Sequence, residues 1–414
     1  MQEQSENVRR VKDRIDVENP AENKRAKILR RTGITLVVLL GLFYGAGGWY
    51  FSSQLGSDAF VVSEPATQSA DDFDLEVVAV DGDRITLRPD DGNDRDLLAE
   101  GVFGLELPNG RLLLGDVVES RVENGTDVVV RQFEIIEGDT PSAGLPADLD
   151  AWCYGSNPTD IGLAYDEVVF QSPIGDFDAW FVPAEGDTWA VVVHGKGAER
   201  REALRILESI NSAGFPALII SYRNDPGQPG DPSGYYRYGA TEWEEVEGAV
   251  RYALDHGARD VILVGLSTGA ANALSFAYHS DLNQEVDGAI FDAPNIDFGR
   301  TVDFGASQRT LPVLGLQVPQ SLTTVAKFIG SLRFDFDWSQ ADFIDDVDEI
   351  NFPMLVFHGS DDSTVPIDVS SRLRDERPDL VTLVAVDGAE HVQSWNDDPV
   401  RYADAVVGFL ESLD

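Results

Sequence analysis

From residue 166 onward short apolar runs alternate with segments of helical period, and no other feature narrows the possible folds of this chain as much. Residues 168–170 and 179–182 read as an opening antiparallel pair. Residues 189–193 form a continuous apolar run, as a strand buried on both faces requires. Leu204, Ile206, Leu207 and Ile210 then recur at helical spacing before the strand 217–220. A second helix carries Trp243, Val246, Ala249, Val250, Ala253 and Leu254 before the strand 261–264. Further strands are expected at 288–291, 354–357 and 381–386, with a last helix over 400–413. Strands separated by helices pair in parallel and carry helices on both faces, which gives an α/β fold.

The strand 261–264 runs into Gly265-Leu266-Ser267-Thr268-Gly269, followed by Ala270-Ala271-Asn272-Ala273-Leu274. This G-x-S-x-G pattern sets a serine in a tight strand-to-helix turn, where glycines relieve crowding and the helix N-terminus favours negative charge. Two later elements supply partners in the chain order Ser, Asp, His. Met354-Leu-Val-Phe-His-Gly-Ser-Asp-Asp is an apolar strand ending in a loop with two carboxylates, and Gly388-Ala389-Glu390-His391 follows the next strand. Of the five histidines, 194, 358 and 391 fall at strand ends, and only His391 has the late position of a general base. A serine hydroxyl becomes a nucleophile when an imidazole takes its proton and a carboxylate holds the far ring nitrogen. The sequence therefore assigns Ser267 as nucleophile and His391 as base. Position alone leaves Asp361, Asp362 and the weaker Asp292, at the end of another strand, open as the acid.

The segment from about Trp152 to the C-terminus resembles bacterial α/β-hydrolases of the broad group that includes membrane-anchored acylglycerol lipases and protein-depalmitoylating hydrolases. Besides the serine, acid and histidine elements, Ser221-Tyr-Arg-Asn-Asp225 and Thr241-Glu-Trp243 are similar to that group's pattern. The resemblance implies an H-G-x-x-D-x-x-V-P element at 358–366, which selects Asp362 over Asp361. It also implies an α/β-hydrolase fold with a cap insertion at about 295–348. One departure is Gly265-Leu-Ser-Thr-Gly-Ala270, where the group usually has Met directly after the serine and a second glycine at the end. Val193-His194-Gly195-Lys196-Gly197 is a small-residue loop after an early strand, so the backbone N–H groups of Lys196 and Thr268 are the expected oxyanion donors. The P-loop spacing is missing from Gly-Lys-Gly. The insertion contains Phe304, Leu311, Leu314, Leu316, Val318, Leu322, Phe328, Ile329, Leu332, Phe334, Phe336 and Trp338, and either completes the core or caps an acyl pocket.

At the other end of the chain, residues 34–51 form an uncharged apolar run of 18 residues, about the length that crosses a ~30 Å hydrocarbon layer. Lys24, Arg25, Lys27, Arg30 and Arg31 precede it, and Asp58, Glu64, Asp71 and Asp72 follow. The positive-inside rule then places the N-terminus in the cytoplasm and the rest outside, in the cell membrane as a single-pass protein. The long polar segment before the run and the aromatic Trp49-Tyr50-Phe51 favour a retained span over a cleaved signal peptide.

Charge and cysteine content remove other classes. Residues 1–32 hold nine Lys/Arg against six Asp/Glu, leaving 22 against 67 in the remainder of a chain of formal charge -42. Such an excess opposes binding to nucleic acid. It keeps a protein soluble and also suits a saline setting. Cys153 is the sole cysteine, which excludes an intramolecular disulfide and a cysteine metal cluster.

Between anchor and hydrolase-like region, strand-like runs at 75–80, 85–88, 102–107, 111–114, 117–122 and 127–135 are separated by Asp81-Gly82-Asp83, Pro108-Asn109-Gly110 and Glu123-Asn124-Gly125. They predict a small antiparallel β domain acting as a spacer or a binding module. The organisation expected is a cytoplasmic tail 1–32, a transmembrane helix 33–52, a linker 53–70, a small β domain 71–140 and an α/β-hydrolase domain 141–414. The function expected is cleavage of a carboxylic ester or thioester on a small-molecule or lipid-like substrate, with no cofactor and no metal. A serine peptidase, an acyltransferase or a silent extracytoplasmic binding module are the alternatives. Oligomeric state is not encoded in any pattern found.

Overall fold

The structure is a computed structural model and describes residues 20–62, 73–90, 95–152, 154–312 and 315–413. Cys153, Leu314, much of the expected tail (1–19), part of the expected linker (63–70) and the first two residues of the expected β domain (71–72) lie outside the described residues.

Eight strands form one sheet: β7 (Asp166–Ser172), β8 (Gly175–Val182), β9 (Thr188–Val193), β10 (Ala217–Ile220), β11 (Asp260–Leu266), β12 (Val286–Asp292), β13 (Met354–Gly359) and β14 (Val381–Val386). Their spatial order is β14-β13-β12-β11-β9-β10-β8-β7. The pairs from β10 to β14 are parallel, while β8 is antiparallel to both β10 and β7. Alternate residues of each central strand feed different layers, as the pleat demands. Val191 and Val193 join Val246, Ala249, Leu274 and Leu373 on one side, and Ala190 and Val192 join Leu204, Leu207, Val406 and Leu410 on the other. The helices of the second layer are α2 (Leu204–Ser212) and α8 (Pro399–Glu411), and those of the first are α3 (Trp243–Asp255), α4 (Thr268–His279) and α7 (Asp368–Glu376). Two cap helices, α5 (Phe298–Ser307) and α6 (Gln320–Phe334), occupy the connection between β12 and β13.

The small β domain is a closed barrel of six strands: β1 (Leu75–Asp81), β2 (Arg84–Pro89), β3 (Phe103–Leu107), β4 (Gly110–Glu123), β5 (Thr126–Gly138) and β6 (Pro146–Asp150). Two expectations change here. Residues 111–114 and 117–122 belong to one strand, β4, because Gly115-Asp116 makes an irregularity in its pairing with β5 rather than a turn. The barrel also reaches Asp150 rather than 140, since β6 is needed to bridge β1 and β3. Inside, the fully buried Arg131 donates to the carbonyls of Leu97, Ala99, Gly101 and Gly115, fixing the loop that faces the large domain.

The N-terminal helix α1 (Pro20–Leu55) is longer than the expected 33–52 and continues as a π-type turn, Gly56–Phe60. It is the one helix among the described residues long and apolar enough to cross a membrane. Residues 27–42 of it are exposed, but residues 53–62 are not a linker: Ala59 and Phe60 bury among Tyr236, Tyr238, Phe298, Phe334 and Phe336 of the large domain. Tyr236 N–H donates to the Phe60 carbonyl and Tyr238 Oη to that of Ala59. The apolar character of Leu55, Ala59 and Phe60 is the physical reason this end of the helix and the turn after it stay packed on the large domain.

Candidate active site

Ser267 stands between β11 and α4 with φ 51° and ψ -114°, a conformation that a non-glycine residue adopts only when its surroundings hold it there. Those surroundings are close backbone. A Cβ on Gly269 would lie 2.1 Å from the Val193 carbonyl oxygen, and one on Gly265 2.5 Å from the Ala270 Cα. Both flanking positions therefore need glycine, whereas Ala270 is accommodated with no exposure. Ser267 N–H donates to the Asp292 carbonyl and its own carbonyl accepts from Asn295 N–H, which locks the turn from both sides.

His391 arrives on the loop after β14 with Nε2 2.8 Å from Ser267 Oγ and Nδ1 2.7 Å from Asp362 Oδ2. This arrangement requires the Nδ1 proton to be donated to the carboxylate and the Nε2 lone pair to face the hydroxyl. Asp362 is buried after β13, and its Oδ1 accepts from the N–H groups of Thr364 and Val365, both at 2.8 Å. A second imidazole, His358, places Nε2 3.2 Å from Asp362 Oδ2 and 2.9 Å from the Val365 carbonyl. Burial alone would raise the Asp362 carboxyl, but hydrogen bonds with His358 and His391 outweigh it and hold it well below the usual carboxylate range. Asp361 instead takes a hydrogen bond from Ser360 on the exposed side of the loop. Asp292 is buried and accepts from Ser394 Oγ at 3.0 Å; burial pushes its carboxyl up. Of the three candidate acids, the structure brings only Asp362 into hydrogen-bond contact with His391.

The Lys196 loop follows β9 beside Ser267: a Cβ on Gly195 would meet Ser267 Cβ at 3.3 Å. Thr268 opens α4, so its N–H points out of the helix N-terminus next to the serine. The Gly195 loop is braced from below. Gly195 N–H donates to Glu202 Oε2 at 2.7 Å, Glu202 pairs with Arg205 at 3.3 Å, and Arg205 donates to the Val392 carbonyl. Val392 itself has φ 56°, costly for a β-branched residue, and directly follows His391. One buried ion pair thus ties the expected oxyanion loop to the histidine loop. His194 is also buried and stacked on Tyr222, and its two ring nitrogens are engaged by the Gly195 carbonyl at 2.8 Å and Asp225 at 2.9 Å.

Two cavities meet at Ser267 and His391. The larger, about 500 Å³, is mostly apolar and extends between α5, α6 and the end of α1; Phe51, Leu55, Phe298, Val318 and Ala326 are among its walls. The smaller, about 380 Å³, has a mixed lining of polar and apolar surface and lies towards the barrel, with Asp148, Asp150, Glu199 and Arg201 in its wall. Trp152 and Lys196 stand in both. Trp152 Nε1 donates to the His391 carbonyl at 3.1 Å, and Lys196 Nζ donates to the Asp58 carbonyl at 2.9 Å. Burial lowers the Lys196 ammonium, against the opposing pull of Asp58. Sequence reasoning missed Trp152, the Glu202–Arg205 pair, His358 as a second partner of Asp362, and the anchor residues in the cavity wall. Only His358 carried a signal, as the first residue of the H-G-x-x-D element. No group of acidic, histidine or cysteine side chains able to hold a metal ion occurs among the described residues.

No protein-family model matches the chain. An uncharacterized Bacillus subtilis protein, YqkD, is 22% identical over 233 residues, covering 56% of this chain and 73% of its own length. An esterase of Pyrococcus furiosus superposes with a TM-score of 0.50 and 18% identity, covering 62% of this chain and 94% of that protein. With the strand order and the single antiparallel strand beside the edge, this establishes that the chain carries the α/β-hydrolase fold.

Proposed function

We propose that this chain is a membrane-anchored serine hydrolase that cleaves a carboxylic ester or thioester through an acyl-enzyme. The observation that carries this reading is the unbroken relay from Ser267 Oγ through His391 to Asp362, with both links at 2.7–2.8 Å. Ser267 attacks the carbonyl carbon while His391 Nε2 takes its proton, and Asp362 stabilises the imidazolium that results. The backbone N–H groups of Lys196 and Thr268 receive the oxyanion; one such donor typically contributes about 3–4 kcal/mol to the transition state. His391 then returns its proton to the departing oxygen or sulfur. Water, activated by the same imidazole, attacks the acyl-enzyme and regenerates Ser267.

The two cavities divide the substrate. The apolar cavity suits the acyl chain, and the mixed one, with its charged side chains, the leaving group, so the barrel acts in this reading as a wall of the leaving-group side and not only as a spacer. The basic residues before the span and the acidic segment after it orient the hydrolase domain away from the cytoplasm.

The test is covalent labelling of the full-length protein with a fluorophosphonate, followed by p-nitrophenyl esters of increasing chain length. Labelling and turnover are expected in the parent and neither in Ser267→Ala. Equal labelling of the variant would move the nucleophile elsewhere, and no labelling of the folded parent would leave the binding-module alternative.

A further inference from the structure

The cap helix α6 lies beside the anchor, not above it. Tyr44 Oη and Ser321 Oγ are 2.9 Å apart, and a Cβ on Gly47 would meet Leu322 at 3.2 Å. One turn on, Gly48 faces Val325 and Ile329, and further along Gly56 faces the Phe334 ring. Arg333 donates to Ser52 and Ser53 and sits 4.2 Å over the Trp49 ring. Residues 44–56 of α1 and 321–334 of α6 therefore advance together in the same direction. Tyr44 precedes Phe51 by about two helical turns, or ~10 Å of rise. If residues 34–51 span the bilayer, the first half of α6 runs at that same depth, below the Trp49-Tyr50-Phe51 belt.

The side chains that α6 turns outward suit such a depth. The exposed positions are Gln320 at its first residue, then Ser321, Thr324, Phe328 and Leu332, with Phe328 at 64% and Leu332 at 73%, and Leu316 in the preceding loop is 63% exposed. In water this is an uncovered apolar face continuous with the exposed apolar surface of α1. The two cations of α6 avoid that face: Lys327 turns inward to Asp303 at 2.9 Å, and Arg333 sits level with Trp49 and Ser53, where headgroups begin.

We propose that the outer face of α6 and the Leu316 loop are seated in the outer leaflet of the bilayer beside the anchor, so that the apolar cavity takes its acyl chain from that leaflet. The cavity wall runs from Phe51 in the aromatic belt to Val318 and Thr323 at the depth just below it, which brings bilayer-resident esters to the same height as the cavity. The inference rests on the anchored-hydrolase reading above: the anchor sets the depth and Ser267 chemistry makes the chain a substrate.

Full-length protein with Cys153→Ser is labelled with a fluorophore at Leu39→Cys, Leu332→Cys or Val400→Cys, one at a time. Each is reconstituted in phosphatidylcholine vesicles containing lipid with a nitroxide on its acyl chain. The labels at 39 and 332 are expected to lose most of their emission and the label at 400, on the far helix α8, to keep it. Loss at 39 without loss at 332 overturns the seating while leaving the anchor in place; no loss at 39 overturns the anchor and the seating together. A kinetic arm compares the parent with Phe328→Asp/Leu332→Asp, whose positions are outside the cavity wall. Turnover of soluble p-nitrophenyl butyrate is expected to be unchanged, while that of a long-chain ester dispersed in the vesicles falls at least about tenfold, the equivalent of 1.4 kcal/mol in access. An equal change in both overturns the seating. Absence of soluble-ester turnover in the parent counts against the hydrolase reading, which the fluorophore arm does not depend on.

Discussion

Replacing Phe60 by alanine tests whether the end of the anchor helix is a structural part of the hydrolase domain. Phe60 has no solvent exposure, and its ring lies 4.8–6.2 Å from those of Phe334, Phe336, Phe298, Tyr238 and Trp338. Truncating a buried phenylalanine to alanine typically destabilises by about 3–5 kcal/mol, from lost burial and the cavity left behind. The upper half of that range applies here, because five aromatic neighbours held by three separate segments cannot all collapse into the space. For a domain of this size about 1 kcal/mol shifts the melting temperature by ~2 °C, so a fall of roughly 8–10 °C is expected in detergent. Differential scanning of the solubilised full-length protein measures it. The same cluster borders the apolar cavity through Phe298 and Tyr238, so the preference among p-nitrophenyl esters should also shift towards longer or bulkier chains. A melting temperature and chain-length profile unchanged from the parent would refute the reasoning, because a dispensable Phe60 means that residues 53–62 are a tether resting on the domain.

Three further outcomes follow from the site. Asp362→Asn is expected to lower kcat by about 10³–10⁴-fold, while Asp361→Asn, on the exposed side of the loop, changes it by less than about twofold; steady-state kinetics of the two decides the acid. Because the folded Asp362 carboxyl is depressed, its stabilising charge is fully present above the ordinary carboxylate range near ~3.9 and is lost only as pH falls below that towards the lower folded value. Asp362 should then stay ionised throughout pH 5–8 and add no step to the kcat/KM profile there, and a loss of activity on acidification that Asp362→Asn removes would show that the carboxylate titrates in that range. Asp148→Asn should alter kcat/KM among esters that share an acyl group and differ in the charge of the alcohol, while leaving acyl-chain preference unchanged; the reverse pattern would reassign the smaller cavity.

The sheet and the relay were legible because their signals are local. An apolar run of strand length between helical segments, such as residues 189–193, marks a buried central strand, and Ser267 and His391 each sit after a strand in residues that announce a turn, whereas Asp362 was told from Asp361 only by the resemblance. What was not legible depends on contacts between distant segments. Nothing around Trp152 marks it as a donor to the His391 carbonyl 239 residues away, and Glu202 and Arg205 read as an ordinary surface pair one helical turn apart. Gly115-Asp116 has the composition of a turn, and only the continuation of pairing with β5 reveals a strand running through it. Phe328 and Leu332 share the apolar identity of the buried Phe334 and Phe336, and no sequence period distinguishes the cap's outward stripe from its inward one until α1 takes its place alongside.

That placement bears on whether the apolar helix is kept. Gly47 and Gly48 let α1 approach α6 so closely that a Cβ on Gly48 would lie 2.7 Å from Val325 and 3.0 Å from Ile329. Small residues at such a contact are how helices pack where lipid offers no hydrophobic drive of its own. A signal peptide has no need of a complementary surface on the mature domain, since the two part company after translocation. Removal up to Ser52 would also strip Phe43, Tyr44 and Phe51 from Leu311, Val318 and Leu322, and Trp49 from Arg333. The surface uncovered would join the already exposed Leu316, Phe328 and Leu332 into one apolar face on a chain whose charge is otherwise arranged for solubility. Fit on one side of the contact and the exposure left on the other both weigh for retention, and retention is what keeps Phe51 in the wall of the cavity that begins at Ser267.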